Sequence, residues 1–315
     1  MTVAHGRAAG RADEMAEPTR SADMSVVVPS VNGWEDLHGC LEALIAQEGD
    51  PVLEVIVVDR VGSSVRRPLA TEFPRVTLIE TASGTTIPAM RAMAFDAATA
   101  PIVGVIEDHV IVPPDWARRM LEAHAAGDRV VGGSVENAAT QNVVEWASFL
   151  CEYSQCLSPR PGPAEWLTGN NVTYRRDLLV DHREVIAEGR WENRLHDALR
   201  ASGVQLSSEP SIRVGHKKHF GFGEYLSQRY LYARSYAGMR VEEAGVGTRL
   251  GYAVASLALP PLLFVRTVRG VLASGRYRAE LLRSLPLIAM FVTAWAAGEL
   301  VGYVAGPGDT LSRVC

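Results

Sequence analysis

Short apolar, β-branched runs alternate with helical stretches near the start of the chain, and this alternation constrains the fold most. Residues 24–29 form one such run, residues 52–59 form a second that ends in an acid, and residues 34–47 between them carry leucines at helical spacing. Strands that are apolar throughout are typical of a parallel sheet covered on both faces. Because crossovers between parallel strands are right-handed, both runs are predicted to lie in one sheet of an α/β domain.

Polar residues follow these runs at the carboxyl ends of the predicted strands. In open α/β sheets, ligands bind in the crevice at those ends. Pro29, Asn32 and Asp59 occupy such positions, and Arg91 follows a third strand near the start of a helix, where a phosphate is favoured. We therefore expect the four residues to face one crevice, although Asp59 could equally initiate the turn before Gly62.

A fourth apolar run, residues 101–105, leads into the cluster Glu107-Asp108-His109. Ionisable groups at the end of a buried strand must be paired, solvated in a cleft or bound to a cation. The cluster is therefore a candidate metal-diphosphate site. The alternative is a solvated strand-to-helix turn in which Asp108 or Asp115 caps the next helix.

Further polar residues are candidates for contacts with a second substrate. Asn170 and Asn171 follow Gly169, and their amides can donate to and accept from sugar hydroxyls, although an ordinary turn gives the same pattern. Glu192 lies in the predicted first turn of a helix, where an acid can also serve only as a partner of the helix dipole. His216 ends a later apolar strand.

Composition limits the class of protein. The chain has 315 residues and a net charge of -5, which argues against nucleic-acid binding. Its 4 cysteines include no C-x-x-C pair, so neither a zinc module nor a disulfide scaffold is indicated, and a reducing compartment fits best. Residues 1–23 lack the apolar core of a signal peptide and are expected to form a disordered leader, with the folded domain on the cytoplasmic side.

The end of the chain is markedly apolar. Residues 220–249 interleave aromatic residues with arginines and predict an amphipathic helix at a membrane surface. Residues 250–265 are short for a straight span and contain two prolines, whereas residues 285–305 are long enough. The arginines between these segments should stay cytoplasmic. Residues 250–315 are thus predicted to be membrane-associated, with one or two transmembrane helices. The first segment is expected to be a re-entrant or interfacial kinked helix and the second a span; the alternative is a hairpin of two spans that breaks the charge rule.

Taken in order, these motifs resemble the inverting glycosyltransferases of family 2, which have the GT-A fold. The resemblance covers residues 24–240 and implies a three-layer α/β/α sandwich with a mostly parallel sheet over residues 24–219. The family's opening P-x-x-N turn, its strand-terminal acid and its arginine approach the donor nucleotide. The donor-binding residues that the resemblance implies are Pro29, Asn32, Asp59, Arg91 and Asp108.

The cluster departs from the D-x-D motif that holds a divalent cation in this family. Glu107-Asp108-His109 is closer to the D-x-H of the mucin-type GalNAc-transferases, which also have a histidine after a Val-Gly pair, as His216 is here. The resemblance therefore implies a metal site of these four residues. Two imidazoles suit Mn²⁺ better than Mg²⁺, which prefers oxygen and water. In addition, Arg60 replaces the usual second acid of the family's second strand.

The acceptor side also departs from the family pattern. Residues 169–171 resemble the family's acceptor turn, and Glu192-Asn193 resembles its E-D motif, in which the aspartate is the general base. Because Asn193 cannot take a proton, Glu192 is the first candidate base and Asp197 the second. The family implies inversion, although the GalNAc-transferase relatives carry the same Glu-Asn pair and retain configuration.

The resemblance implies a metal-dependent, inverting transfer of a sugar from a nucleotide-diphosphate donor. The acceptor would be a hydroxyl or phosphate of a lipid-linked or polysaccharide molecule at the cytoplasmic face of the cell membrane. Two alternatives stay open. A nucleotidyltransferase would usually need a basic, Gly-rich loop after the first strand, and residues 29–33 contain no basic residue. A non-catalytic membrane protein that kept the fold is compatible with Asn193.

Overall fold

The structure, a computed structural model, describes residues 21–314, so most of the predicted leader lies outside the described residues. Within this range nine strands form one mixed sheet, in the order β3-β2-β1-β4-β8-β6-β9-β5, with β7 paired to β9. The strands are β1 (Met24–Ser30), β2 (Leu53–Asp59), β3 (Thr77–Glu80), β4 (Ile102–Val105), β5 (Val110–Ile111), β6 (Val130–Asn137), β7 (Gly162–Ala164), β8 (Val172–Arg175) and β9 (Leu206–His216).

The first four strands of this order confirm the predicted parallel arrangement. β2 and β4 flank β1, and both pair with it in parallel register. Every residue of β1 is buried, as expected for a strand covered on both faces. Since β1, β2 and β4 end at the same edge, the turns that follow them meet there. The connecting helices are α1 (Trp34–Ile45), α2 (Ser63–Glu72) and α3 (Ile87–Ala97).

The second half of the sheet brings distant residues to that edge. β8 pairs antiparallel with β4 and β6, and β9 runs parallel to β6 and antiparallel to β5. In the β5–β9 pair, Val110 lies opposite His216, so the end of β9 reaches the cluster that precedes β5. The helices of this half are α4 (Trp116–Ala125), α5 (Val143–Tyr153), α6 (Arg176–Asp181), α7 (Arg183–Ala187) and α8 (Glu192–Ala201).

Alternate side chains of β1 enter two separate hydrophobic cores. Val26 and Val28 belong to one core and Val27 to the other. Because successive side chains of a strand point to opposite faces, helices must cover both sides of the sheet. This is the predicted three-layer α/β/α architecture.

Four helices follow the sheet and pack against it. α12 lies along α9 and contacts α5. Among the described residues, α12 is the one helix long and apolar enough to span a membrane, and α10 with α11 forms a pair bent by 57° that could be one broken span or a re-entrant loop. These helices are α9 (Phe222–Arg240), α10 (Val246–Ser256), α11 (Leu259–Ser274) and α12 (Arg278–Ala305).

α9 lies within residues 220–249, the predicted membrane-surface helix, whose contact with a membrane stays a prediction. Tyr225 is fully buried, and its ring centroid lies 4.6 Å from that of Phe291 in α12. The aromatic residues of α9 therefore pack into the protein. The interleaved aromatic and basic pattern arises because one side of α9 meets α12 and the active-site cavity described below.

Glycines allow α9 and α12 to approach closely. A Cβ atom at Gly298 would lie 2.3 Å from the carbonyl oxygen of Tyr230, and one at Gly302 would lie 2.6 Å from that of Arg234. Both neighbours are backbone atoms, which cannot move without shifting a helix. Small residues at these positions are thus a condition for the observed packing.

We predict that Gly298→Ala destabilises the protein by about 1–3 kcal/mol, because the added methyl overpacks the helix contact. Thermal unfolding followed by circular dichroism measures the effect. Gly251→Ala is the matched control, since Gly251 is also helical and a Cβ there meets no atom within 4 Å. That control should be neutral or slightly stabilising. Equal melting temperatures for the two variants would contradict the prediction.

Candidate active site

Asp108 is fully buried beneath the turn that follows β1. Its Oδ2 accepts hydrogen bonds from the backbone N–H groups of Val31 (2.7 Å) and Asn32 (2.9 Å), and its Oδ1 lies 3.0 Å from Nδ1 of His109. Burial alone would raise the pKa of Asp108, but the hydrogen bonds from His109 and from these two amides hold it below its ordinary value. Asp108 thus lies behind the cluster as an ionised anchor, which differs from its predicted role as a metal ligand.

Glu107, His109 and His216 converge on one point. The Nε2 atoms of the two histidines are 2.9 Å apart, and Glu107 Oε2 lies 3.5 Å from His109 Nε2 and 4.0 Å from His216 Nε2. Because a carboxylate can only accept, Asp108 requires a proton on His109 Nδ1, which turns Nε2 of that ring towards the shared point. A carboxylate behind a histidine is the usual outer partner of a metal-ligating imidazole.

The two imidazoles differ in their affinity for protons. Burial alone would lower the pKa of His109, but its hydrogen bond to Asp108 and the negative charge of Glu107 raise it. Burial lowers the pKa of His216 far below its ordinary value, and the positive charges of His109 and Lys218 add to this effect. His109 therefore holds a proton more readily than His216 does. A divalent cation would compete with protons for these nitrogens, because ligating imidazoles bind metals through a free lone pair.

The distances in this cluster fit a cation. Three ligand atoms, one from each of Glu107, His109 and His216, lie within 4.8 Å of one another. Atoms bound to one cation at about 2.1 Å are separated by roughly 3.0–3.5 Å, close to the spacing observed here. The predicted site is therefore assembled from three of its four residues.

Arg91 connects the cluster to the candidate base. Its guanidinium is 6% exposed, with Nη1 3.0 Å from Glu192 Oε2 and Nη2 3.7 Å from Glu107 Oε1. Burial opposes its charge, yet the carboxylates of Glu192 and Glu107 raise its pKa. Arg91 thus remains a buried cation that holds both carboxylates in place.

A cavity of about 310 Å³ contains these groups. Pro29 and Gly169 line it, as does Asn170, whose Nδ2 donates to Tyr153 Oη (2.7 Å) and Glu107 Oε2 (3.2 Å). The wall opposite the sheet is built by α9, α11 and α12, together with Phe220, which precedes α9. Its residues are Phe220, Arg229, Tyr232, Tyr236, Leu263, Arg266 and Trp295.

Four predicted site residues do not line this cavity, namely Asn32, Asp59, Asn171 and Asp197. Asn171 is fully buried, accepts a hydrogen bond from Trp116 Nε1 (3.0 Å) and donates to the carbonyls of Ser134 and Ile212. Its side-chain oxygen and nitrogen are thus paired within the protein, which fastens β8 to its neighbours, and its acceptor contact stays a prediction.

Asp197, the second candidate base, lies away from the cavity. It follows Glu192 by five residues, about 140° around α8. Its side chain is 68% exposed, and its nearest cation is Arg200 at 3.9 Å. Asn193, where the family has its base, is also exposed, whereas Glu192 faces the cavity. Of the two predicted bases, the geometry keeps Glu192.

The donor-side residues are held by the protein itself. Asp59 is fully buried, accepts from Ser30 Oγ (3.0 Å) and Gly62 N (2.9 Å), and pairs with Arg66 Nε (2.7 Å). These contacts correspond to the alternative that Asp59 forms the turn before Gly62. Contact between Asp59 and the donor stays a prediction. Asn32 Oδ1 accepts from Lys218 Nζ.

Arg60, which stands where the family has a second acid, binds backbone carbonyls. Its guanidinium donates to the carbonyls of Thr85, Ser312 and Val314, and so fixes residues 310–314 beside the end of β2. The departure from the family pattern at Arg60 thus coincides with a contact to the end of the described chain.

Sequence reasoning missed several cavity residues. The hydroxyl of Tyr153 accepts a hydrogen bond from Asn170 inside the cavity. Trp191 directly precedes Glu192, and this position next to a candidate base was the signal that could have identified Trp191 as a cavity residue. Glu152 lines the same cavity, and burial raises its pKa to about 7. Nothing in the local sequence pattern identifies Glu152 as a cavity residue. Its nearby cation, Arg229, belongs to α9, which lies far from Glu152 along the chain.

Comparison with known proteins identifies the family. Residues 25–183 match the glycosyl transferase family 2 domain, which is half of the chain. The chain belongs to glycosyl transferase family 2. A search of curated proteins found no match.

Solved structures of such transferases are similar to this one. The mannosyltransferase PcManGT from Pyrobaculum calidifontis, in complex with GDP-Man and Mn²⁺, is 16% identical, with a TM-score of 0.54 over 90% of this chain and 88% of that chain. This likeness supports the GT-A fold. TarS from S. aureus is 14% identical, with a TM-score of 0.48 over 66% of this chain and 38% of that chain.

Gly169 sets the position of Glu192 in this glycosyltransferase. A Cβ atom at Gly169 would lie 2.5 Å from Cδ of the Glu192 carboxyl group, closer than two carbon atoms can approach. We predict that Gly169→Ala displaces this carboxylate and lowers kcat by about 10²-fold or more, since small misplacements of a catalytic group have such effects.

Release of nucleoside diphosphate with any accepted donor and acceptor measures this effect. The control is Gly84→Ala, because a Cβ at Gly84 meets no atom within 4 Å. The prediction fails if Gly169→Ala retains the kcat of the wild type and of the control.

Proposed function

We propose that the protein transfers a sugar from a nucleotide-diphosphate donor to a hydroxyl or phosphate of a lipid-linked or saccharide acceptor, with Mn²⁺ or Mg²⁺ as cofactor. One observation carries the proposal. The ligand cluster and the candidate base open into the same cavity, and the buried Arg91 bridges them. That arrangement suits a reaction in which a leaving group and a nucleophile react at adjacent points.

Glu107, His109 and His216 would hold the cation, with Asp108 fixing the ring of His109. When bound, a divalent cation neutralises charge on a diphosphate leaving group. The backbone turn at Pro29 and the guanidinium of Arg91 form the wall beside the cluster and would position the donor. Two imidazole ligands favour Mn²⁺ over Mg²⁺.

Glu192 would take the proton from the acceptor hydroxyl. Its carboxylate is paired with Arg91 and is 25% exposed, so an acceptor can reach it. A positioned carboxylate of this kind is an ordinary general base. Direct attack by a hydroxyl so activated proceeds with inversion at the anomeric carbon. Asn170 lies on the same side and would contact the acceptor.

A membrane surface supports the assignment of a lipid-linked acceptor. Isolated apolar side chains are common on protein surfaces, but a large contiguous group marks an interaction site. Exposed arginines in the last part of α11, the following turn and the first part of α12 would suit the cytoplasmic side of the cell membrane, namely Arg266, Arg269, Arg276, Arg278 and Arg283. The aliphatic residues of α10–α12 that are more than half exposed are Val246, Leu250, Val254, Leu257, Leu262, Val265, Leu282 and Val304.

We expect nucleoside diphosphate release from UDP-, GDP- or dTDP-sugars in a donor screen with membrane extract as acceptor source and added Mn²⁺. Chelation with EDTA should abolish release, and Mn²⁺ should restore it better than Mg²⁺. His109→Ala and His216→Ala should each lower the rate at least 100-fold, because each removes a ligand of the charge-stabilising cation.

His38→Ala is the control, since His38 is paired with surface carboxylates outside the cavity. Its rate should equal that of the wild type. Wild-type rates in both histidine variants of the cluster, or full activity in EDTA, would refute the metal-dependent mechanism.

A further inference from the structure

Unpaired polar atoms are concentrated around the active-site cavity. Among the described residues, eight buried side-chain nitrogen or oxygen atoms have no hydrogen-bond partner. Buried polar groups are normally paired, so a concentration of exceptions at one cavity indicates a ligand that pairs with them. Five of the eight belong to cavity residues: Arg91 Nε, Thr168 Oγ1, Asn170 Oδ1, Trp191 Nε1 and Arg229 Nε.

An aromatic wall lies beside these atoms. The ring centroids of Trp191 and Tyr236 are 5.9 Å apart with an angle of 11° between planes, and those of Trp191 and Tyr232 are 5.1 Å apart at 31°. Trp295 continues the wall 6.4 Å from Tyr236, and the guanidinium of Arg229 covers it at 4.1 Å. All five side chains line the cavity.

Core packing alone does not account for this wall. Trp191 is 5% exposed and belongs to a hydrophobic cluster with Ile87 and Leu231. However, a buried indole N–H usually has a partner, and that of Trp191 has none. Tyr232 and Tyr236 are only partly buried, so part of each ring faces the cavity.

The wall lies on the side of the cavity where the acceptor proton would be removed. Trp191 directly precedes Glu192 in the chain. Burial, together with the negative charge of Glu192, raises the pKa of Tyr236 well above its ordinary value, so its hydroxyl is within electrostatic reach of the base. A nucleotide base is separated from this point by the diphosphate, whereas the transferred sugar and an acceptor sugar are not.

A pyranose ring matches the chemistry of the wall. It has an apolar C–H face that can lie on aromatic rings and a rim of hydroxyls that both donate and accept. The N–H groups of Trp191 and Arg91 can donate to that rim, and Asn170 Oδ1 can accept from it.

We propose that Trp191, Tyr232 and Tyr236 form a carbohydrate-stacking subsite, in which Trp191 Nε1 and Arg91 Nε donate to sugar hydroxyls. The subsite rests on the proposed function, because it places a sugar next to Glu192. The sugar comes either from the donor or from an acceptor saccharide, and binding experiments distinguish these sources.

The first experiment compares donor binding by isothermal titration calorimetry. The probes are GDP-mannose against GDP, and UDP-glucose against UDP, with Mn²⁺ present. The variants are Trp191→Phe, which keeps a ring but removes the N–H, and Tyr236→Leu, which removes a ring. Trp146→Phe is the matched control, because Trp146 packs against Phe149 and Tyr277 and does not line the cavity. Melting temperatures establish that each variant is folded.

The second experiment detects acceptor sugars by saturation-transfer NMR. The probes are the methyl glycosides of glucose, galactose, mannose and N-acetylglucosamine, added to protein saturated with nucleoside diphosphate. Loss of one neutral hydrogen bond predicts an affinity about five- to tenfold weaker in Trp191→Phe. Tyr236→Leu should weaken binding by a similar factor, and Trp146→Phe should match the wild type.

Weaker binding of the nucleotide sugar, with unchanged binding of the nucleotide, assigns the subsite to the donor sugar. Loss of the glycoside signal with unchanged donor binding assigns it to the acceptor. If Trp191→Phe and Tyr236→Leu bind with the same affinities as Trp146→Phe in both experiments, the subsite is overturned. The proposed function stays intact in that case as long as the wild type still turns over a donor. Glycoside binding without nucleotide release from any donor would instead refute the proposed function.

Discussion

The buried carboxylate of Asp108 is the interaction on which the site depends. A fully buried charge must be compensated within the protein. Asp108 obtains that compensation from two backbone amides of the β1–α1 turn and from His109. One side chain therefore fixes the first crossover of the sheet and the ring orientation of a candidate metal ligand. Removing it would leave several donors unpaired, so the fold and the site are coupled at this residue.

The helices after the sheet complete the catalytic cavity. α9 and α11 supply most of the wall opposite the sheet, and α12 adds Trp295. Glycines in α12 allow it to meet α9 closely. The opposite surface of these helices exposes aliphatic side chains. The same segment can therefore form a substrate cavity on one side and face lipid on the other. This arrangement would place a lipid-linked acceptor near the cavity.

The sequence predicted the parallel half of the sheet and the cluster at its edge, because both are encoded locally. Apolar runs define the strands, and Glu107 and His109 are two residues apart. The sequence could not show which of the side chains of Asn170 and Asn171 faces the cavity. The two residues lie just before β8, and successive side chains there point in opposite directions. It also placed Asp197 with Glu192, although helical geometry separates them.

The role of α9 could not be predicted from the local sequence pattern, for a different reason. Aromatic and basic residues on a helix favour a membrane surface and a substrate cavity equally, and only the position of α12 distinguishes the two. Trp191 was missed because its function depends on Tyr232 and Tyr236, which come from a distant helix. Contacts between remote segments carry this information, and a single sequence does not display them.

The central claim is that two imidazoles and one carboxylate hold the cation. Electron spin-echo envelope modulation of the Mn²⁺-loaded protein measures nitrogen nuclei bound to the metal directly. We expect coupling between Mn²⁺ and two histidine nitrogens in the wild type, and between Mn²⁺ and one histidine nitrogen in His216→Ala. A wild-type spectrum without nitrogen coupling at saturating Mn²⁺ would contradict it.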